Sequence, residues 1–334
     1  MFSPSKTKVT VISLLLVATG ATLLSVSSIL RTGRRLECGA NQCTSVIAFL
    51  DRQTDAVCVY SAEHGTSVAD GCVDGWHVVS LLSGMRRPQG WLCKACSPNS
   101  ETGQFVMLGD GKIHPIPVRG GGEAGVYDGR IGIADAADGR AVLTCYDLKG
   151  KRSSARILKV PGHHVTAVHS PVTWSTDGLA AVALSVDLER ESRVYVFSES
   201  GTLLADLGPG HLPAIDHKGG RVAYLLPSSS SFHQVQVGLY DIKARTRTQI
   251  AAWYPTRPAE LLPYCGATDV HEVKWSDDGK WLICALGEAT RPDSLICAVQ
   301  MDSRRWCRLP IRVLHGRWAV GNGDMEKGTE RNGQ

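Results

Sequence analysis

The sequence predicts an all-β ring of repeated four-stranded antiparallel units, preceded by one N-terminal hydrophobic helix. Three observations predict it: an uncharged apolar run near the start, a recurring Trp-Ser-x-Asp-Gly turn, and alternating strand patterns that return at a nearly regular interval.

The 334 residues are 43% hydrophobic and 20% charged, with 35 glycines. That is enough apolar material for a full core and argues against global disorder. The net charge is +4 and the isoelectric point is near 8.5, with the charges dispersed. There is no basic stripe, which argues against nucleic-acid binding.

The first element runs uncharged from Val9 to Leu30. It is long enough to cross a bilayer, which takes roughly 20 apolar residues. Val9 to Ala18 alone could serve as the apolar region of a signal peptide, with Ala18-Thr19-Gly20 as the cleavage site. A membrane anchor is the favoured reading, because apolar character resumes at Leu23 and continues to Leu30. Lys6 and Lys8 precede the run and Arg31, Arg34 and Arg35 follow it, so charge fixes the orientation poorly. All 11 cysteines lie beyond this run. Such cysteines suit an exported body stapled by disulfides, and the odd count leaves at least one thiol over. The expectation is a membrane-anchored or secreted protein with residues 36–320 outside the cytoplasm and a polar, disordered tail at 321–334.

The recurring turn appears as Trp174-Ser175-Thr176-Asp177-Gly178 and as Trp275-Ser276-Asp277-Asp278-Gly279, each followed by an apolar strand. A degenerate copy reads Asp216-His217-Lys218-Gly219-Gly220. Ser and Asp side chains cap free amides in such a turn, and Gly takes its left-handed position. A second unit, an alternating strand closed by a polar turn, follows each first one. Tyr60, Met107, Tyr146, Phe197, Tyr240 and Val299 mark six such strands, spaced 47, 39, 51, 43 and 59 apart. That period matches the blades of a β-propeller, so six blades are expected, with seven the alternative. A β-sandwich with coincidental turns is the competing fold.

The Trp-Ser-x-Asp-Gly copies resemble the repeat of TolB-like and WD-repeat-like propellers. In TolB-like repeats a Trp-Ser-Pro-Asp-Gly turn joins the first two strands, and here Thr176 and Asp277 replace the proline. The resemblance is clearest over residues 171–310 and faint before about residue 125. It implies a fold shared by enzymes and non-enzymes alike. The first anchor lacks inner strands on its N-terminal side. Ile311 to Val320 would supply them and close the ring by pairing the two ends of the chain, which removes free sheet edges.

In a four-stranded meander the first–second and third–fourth turns lie on one face of the disc, and the other connections on the opposite face. The long loops are expected all to be of the latter kind, and His163, His164, His169, His211, His233 and His271 to lie in or beside them. Long loops on a rigid scaffold are where binding sites usually sit. Candidate binding residues are therefore His163, His164, His169, His211, Trp253, Tyr254 and His271. The duller readings are stronger for each piece: solvated loop histidines rather than a metal site, and Trp253 and Tyr254 packed under a proline-rich loop rather than a platform. Cys93-Lys94-Ala95-Cys96 reads as a hairpin carrying a candidate disulfide or buried thiols, since a redox motif normally opens a helix. Asp187, Glu189 and Glu191 read as a solvated acidic cluster.

No Gly-x-Ser-x-Gly elbow, His-Glu-x-x-His motif or phosphate-binding glycine loop occurs in the sequence. No catalytic residue, metal or cofactor is expected. The sequence thus points to a non-catalytic binding or scaffold module for a protein or other envelope partner. The alternative is a glycan-active hydrolase or lyase using histidines and carboxylates at the channel mouth.

Overall fold

A computed structural model describes residues 43–321, apart from 44, 72–74, 83–89, 101, 119–122, 128, 188, 190, 228–234, 253–267, 289–292, 304 and 315. The hydrophobic segment at 9–30, the loop residues Trp253, Tyr254 and His233, and the tail beyond 321 lie outside the described residues.

Each blade is an antiparallel meander. Blade 1 begins with β1 (Val46–Leu50), β2 (Val57–Ser61) and β3 (Gly65–Asp70). Blade 2 is β4 (His77–Leu81), β5 (Trp91–Cys96), β6 (Gln104–Gly109) and β7 (Lys112–Pro115). Blade 3 is β8 (Glu123–Tyr127), β9 (Arg130–Ala137), β10 (Arg140–Tyr146) and β11 (Arg152–Leu158). Blade 4 comprises β12 (Val165–Val168), β13 (Thr173–Trp174), β14 (Ala180–Val186), β15 (Arg193–Phe197) and β16 (Leu203–Pro209). Blade 5 is β17 (His211–Ile215), β18 (Arg221–Leu225), β19 (Val235–Asp241) and β20 (Thr246–Ala252). Blade 6 is β21 (Thr268–Trp275), β22 (Trp281–Glu288), β23 (Asp293–Gln300) and β24 (Trp306–Leu314). The last strand, β25 (Trp318–Gly321), then crosses into blade 1 and pairs β1, with Ala48 opposite Ala319.

The fold is therefore a six-bladed propeller. All six anchors, from Tyr60 to Val299, fall on the third strand of their blades. Ring closure joins the two ends of the chain, but with one strand. Ile311 to Leu314 belong to the outermost strand of blade 6, and β25 alone fills the inner position of blade 1. In blade 4 two short strands share the inner edge, because Pro171 has no N–H to give the ladder there. The Ser170 hydroxyl bridges the gap by accepting from the Ala183 amide.

Second strands read as unbroken apolar runs because both of their faces are buried. In β14, Ala180, Val182 and Leu184 pack toward blade 3, whereas Ala181 and Ala183 pack toward blade 5. In β22, Leu282, Cys284 and Leu286 face blade 5, and Trp281, Ile283 and Ala285 face blade 1. The core is thus divided among the seams between blades, and the inner strands stand free around a central channel.

Candidate binding site in the central channel

The repeated turns position the channel wall. In blade 4, the Gly178 amide donates to the Ser175 carbonyl, and the Leu179 amide to the Ser175 hydroxyl. In blade 6, the Trp281 amide donates to the Ser276 hydroxyl, which donates to Asp278 at 2.6 Å. In blade 5, Asp216 takes the serine's place and accepts from the amides of Gly220 and Arg221. Gly178 and Gly279 sit at φ 76° and 68°, the left-handed region that side chains resist. Burial pushes the Asp278 carboxyl up, but its bonds from Ser276 and Lys280 outweigh that and hold it below the usual range. Asp177, its counterpart in blade 4, is exposed.

Trp174 and Trp275 are buried and seal the seams. The Trp275 indole N–H donates to the Ala214 carbonyl of blade 5, while the Arg221 guanidinium lies 4.7 Å from its ring centre. Arg221 also donates to the Gly279 carbonyl at 2.6 Å, tying the blade 6 turn to blade 5. Arg156 stacks on Trp174 and donates to Gly178 in the same manner.

The inner strands enclose a cavity of about 590 Å³. Its apolar wall includes Leu81, Val126, Leu212, Ile215, Val273 and Val320, and its polar groups include Lys94, His169, His217, Glu272, Lys274 and Asp277. Most of the polar groups are engaged. Glu272 accepts from the Trp318 indole at 2.6 Å and the Gly316 amide at 3.1 Å, and pairs with Lys274 at 3.2 Å. The Lys274 ammonium also stacks on the Trp318 ring. Asp277 is different: burial pushes its carboxyl up, opposed by the neighbouring His217.

Of the predicted histidines that are described, only His169 lines this cavity. His163 pairs with Asp187 at 2.6 Å, and the His164 amide donates to the same carboxylate. The His163 bond, and then that amide, hold Asp187 below its ordinary range. His169 lines the channel but is bonded to Ser185 of its own blade at 2.6 Å. His271 is bonded to the buried Ser294 at 3.0 Å. His211 opens β17, and burial lowers its pKa. The imidazoles of His163, His169 and His271 are thus each bonded to a side chain of blade 4 or blade 6. Among the described residues no three His, Cys, Asp or Glu side chains are grouped to hold a metal ion.

Two further expectations are corrected. Cys93 and Cys96 lie on one strand, β5, rather than in a hairpin; no disulfide joins them, and the buried-thiol alternative holds for Cys93, with Cys96 half-buried. Side chains alternate along a strand, so residues three apart point to opposite faces. The long connections are not confined to one face, since 82–90 joins the first two strands of blade 2.

Missed altogether was a clasp at the ring closure. Arg317 donates to Asp55 and to His77 Nε2, both at 2.8 Å, and His77 Nδ1 meets Asp55 at 2.8 Å. These residues come from both ends of the chain and carry no shared motif. Asp277, by contrast, was visible as a departure from the repeat's proline, although its position on the channel wall was not.

No protein-family model matches the chain, and no curated protein matches it by sequence. Among solved structures, TolB from Acinetobacter baumannii is similar with a TM-score of 0.54 and 13% identity, over 83% of this chain and 67% of that one. A protein of unknown function from Bacteroides caccae gives a TM-score of 0.46 and 9% identity over 80% of this chain and 99% of its own. An oligogalacturonate lyase in complex with manganese gives 0.42 and 12% over 78% and 71%. At these identities the likeness is one of fold, and the chain is a six-bladed β-propeller similar in architecture to TolB.

Proposed function

We propose that this protein is a non-catalytic binding or scaffold propeller, held at the cell envelope by residues 9–30, with its ring outside the cytoplasm, where it engages a protein partner. The carrying observation is the channel: a cavity of about 590 Å³ whose wall mixes apolar side chains with polar and charged ones. That is within the size range of binding clefts, and polar groups placed in such a site give specificity. The connections on the two faces of the disc surround its mouths, so a partner resting on either face would meet both loops and channel. The histidines support the same reading, because their bonds to Asp187, Ser185 and Ser294 give them structural roles.

Site-specific photocrosslinking in cells expressing the full chain tests this. Probes go at Thr176 and His217, in the turns at one mouth, and at Thr66 and Ser153 on outermost strands. One defined protein adduct from mouth positions, absent from the outer strands, is the expected result. Equal labelling everywhere, or glycan turnover that disappears when His163, His164, His169 and His271 are all replaced by alanine, would overturn it.

A further inference from the structure

Thr176, His217 and Asp277 occupy the same place in three consecutive turns, directly after Ser175, Asp216 and Ser276. Thr176 has a structural task there. Its amide and hydroxyl both donate to the His217 carbonyl, at 2.8 and 2.9 Å, joining the turn of blade 4 to that of blade 5. Asp277 has no matching neighbour, because the inner strand of blade 1 comes from the opposite end of the chain and forms no such turn. Its carboxylate receives no hydrogen bond from any described residue. The adjacent Asp278 does the capping instead, through Ser276 and Lys280.

Asp277 nonetheless lines the channel, and partial burial without a donor makes its ionised form costly. The other channel carboxylate, Glu272, is occupied by Trp318, Gly316 and Lys274. A part-buried carboxylate that accepts no hydrogen bond, beside Ile215 and Val273, is the arrangement that a ligand cation relieves, through a charge-assisted hydrogen bond.

We propose that Asp277 is the anchoring group for a primary ammonium or guanidinium carried on an apolar chain, the chain lying along Ile215, Val273 and Val320. The proposal rests on the reading of the ring as a binding module, and it adds the chemical class of what enters the channel. Such a group could belong to a free amine or to a basic side chain of a partner peptide. Cation binding selects the ionised carboxylate, so affinity rises as pH rises through the elevated Asp277 pKa. The charged and titratable neighbours of Asp277 are His217, Asp278 and the Asp278 partner Lys280.

The test is calorimetric titration of the full-length protein with n-hexylamine, hexanol and hexanoate. Hexylamine should bind at least about tenfold more tightly than either isostere, a ratio worth about 1.4 kcal/mol. Asp277→Asn should remove that preference while hexanol binding stays unchanged, and the amine's affinity should increase as the pH is raised through the elevated Asp277 pKa. A blocked Leu-Lys-Leu tripeptide that binds more tightly than hexylamine, and is equally lost in Asp277→Asn, assigns the site to a peptide side chain. A weaker tripeptide assigns it to a free amine. Equal binding of amine and alcohol, or full amine affinity in a folded Asp277→Asn, overturns the proposal. Such a failure leaves a crosslinked protein partner intact, so the two readings fail separately.

Discussion

Replacing Trp318 by alanine tests whether the ring is held shut where the structure places its closure. Trp318 opens the four-residue strand β25 and is 0% exposed, packed among Ile47, Phe49, Ile283 and Val313 at the seam of blades 6 and 1. Truncating a buried tryptophan costs about 3–5 kcal/mol, because the transfer term is joined by a cavity. The indole N–H also serves Glu272, and losing a bond to a charged group adds about 1–2 kcal/mol. The expected total of roughly 5 kcal/mol is a large share of a domain's 5–15 kcal/mol. At about 2–4 °C per kcal/mol, the melting temperature falls by roughly 10–20 °C. Urea unfolding followed by far-ultraviolet circular dichroism gives the free energy, and an unchanged slope shows that the same surface is exposed. Trp318→Phe isolates the polar part and should cost about 1–2 kcal/mol, since Glu272 keeps Gly316 and Lys274. A loss below about 2 kcal/mol for the alanine variant would refute this account of closure.

Three further expectations follow from the same geometry. Arg317→Ala should cost about 2 kcal/mol, less than a fully buried pair, because Arg317 and Asp55 are 15% and 16% exposed; a double-mutant cycle with Asp55→Ala should show coupling of roughly 1 kcal/mol or more. Gly125→Ala should cost about 3 kcal/mol, since the new Cβ would stand 1.8 Å from the Val172 carbonyl across the seam of blades 3 and 4. Gly111→Ala, in open space at φ 67°, should cost about 1–2 kcal/mol, and equilibrium unfolding compares the two. Cys284 and Cys297 oppose each other on β22 and β23, wholly buried, and burial pushes the Cys297 thiol up to about 12 and that of Cys284 higher still. Both should resist iodoacetamide in the native protein and react only on unfolding, as read by site-resolved mass spectrometry; rapid native labelling of either would show the seam to be open.

Much of the fold was legible because it is built from local chemistry repeated. Ser175, Gly178, Ser276 and Gly279 form their turns from contacts within five residues, so the same letters give the same bend wherever they occur. Tyr60 and Met107, in the faint first half, still marked third strands, since alternation survives where turn motifs do not. The site was less legible. His163, His169 and His271 drew attention as residue types, yet what each does depends on Asp187, Ser185 and Ser294, 16 to 24 positions away and supplied by strand register.

The sequence by itself determined six all-β units, the turns between the first two strands of three of them, and a closure joining both ends of the chain. Those follow from periodicity and backbone chemistry, which act over a few residues. Only the tertiary structure decided that one strand performs the closure, that Arg317 meets Asp55 and His77 across 262 and 240 positions, and that Asp277 stands on the channel wall. The physical reason is the ring itself. Circular stacking puts the ends of the chain side by side and gathers six inner strands around one cavity, and neither neighbourhood is encoded in any local stretch.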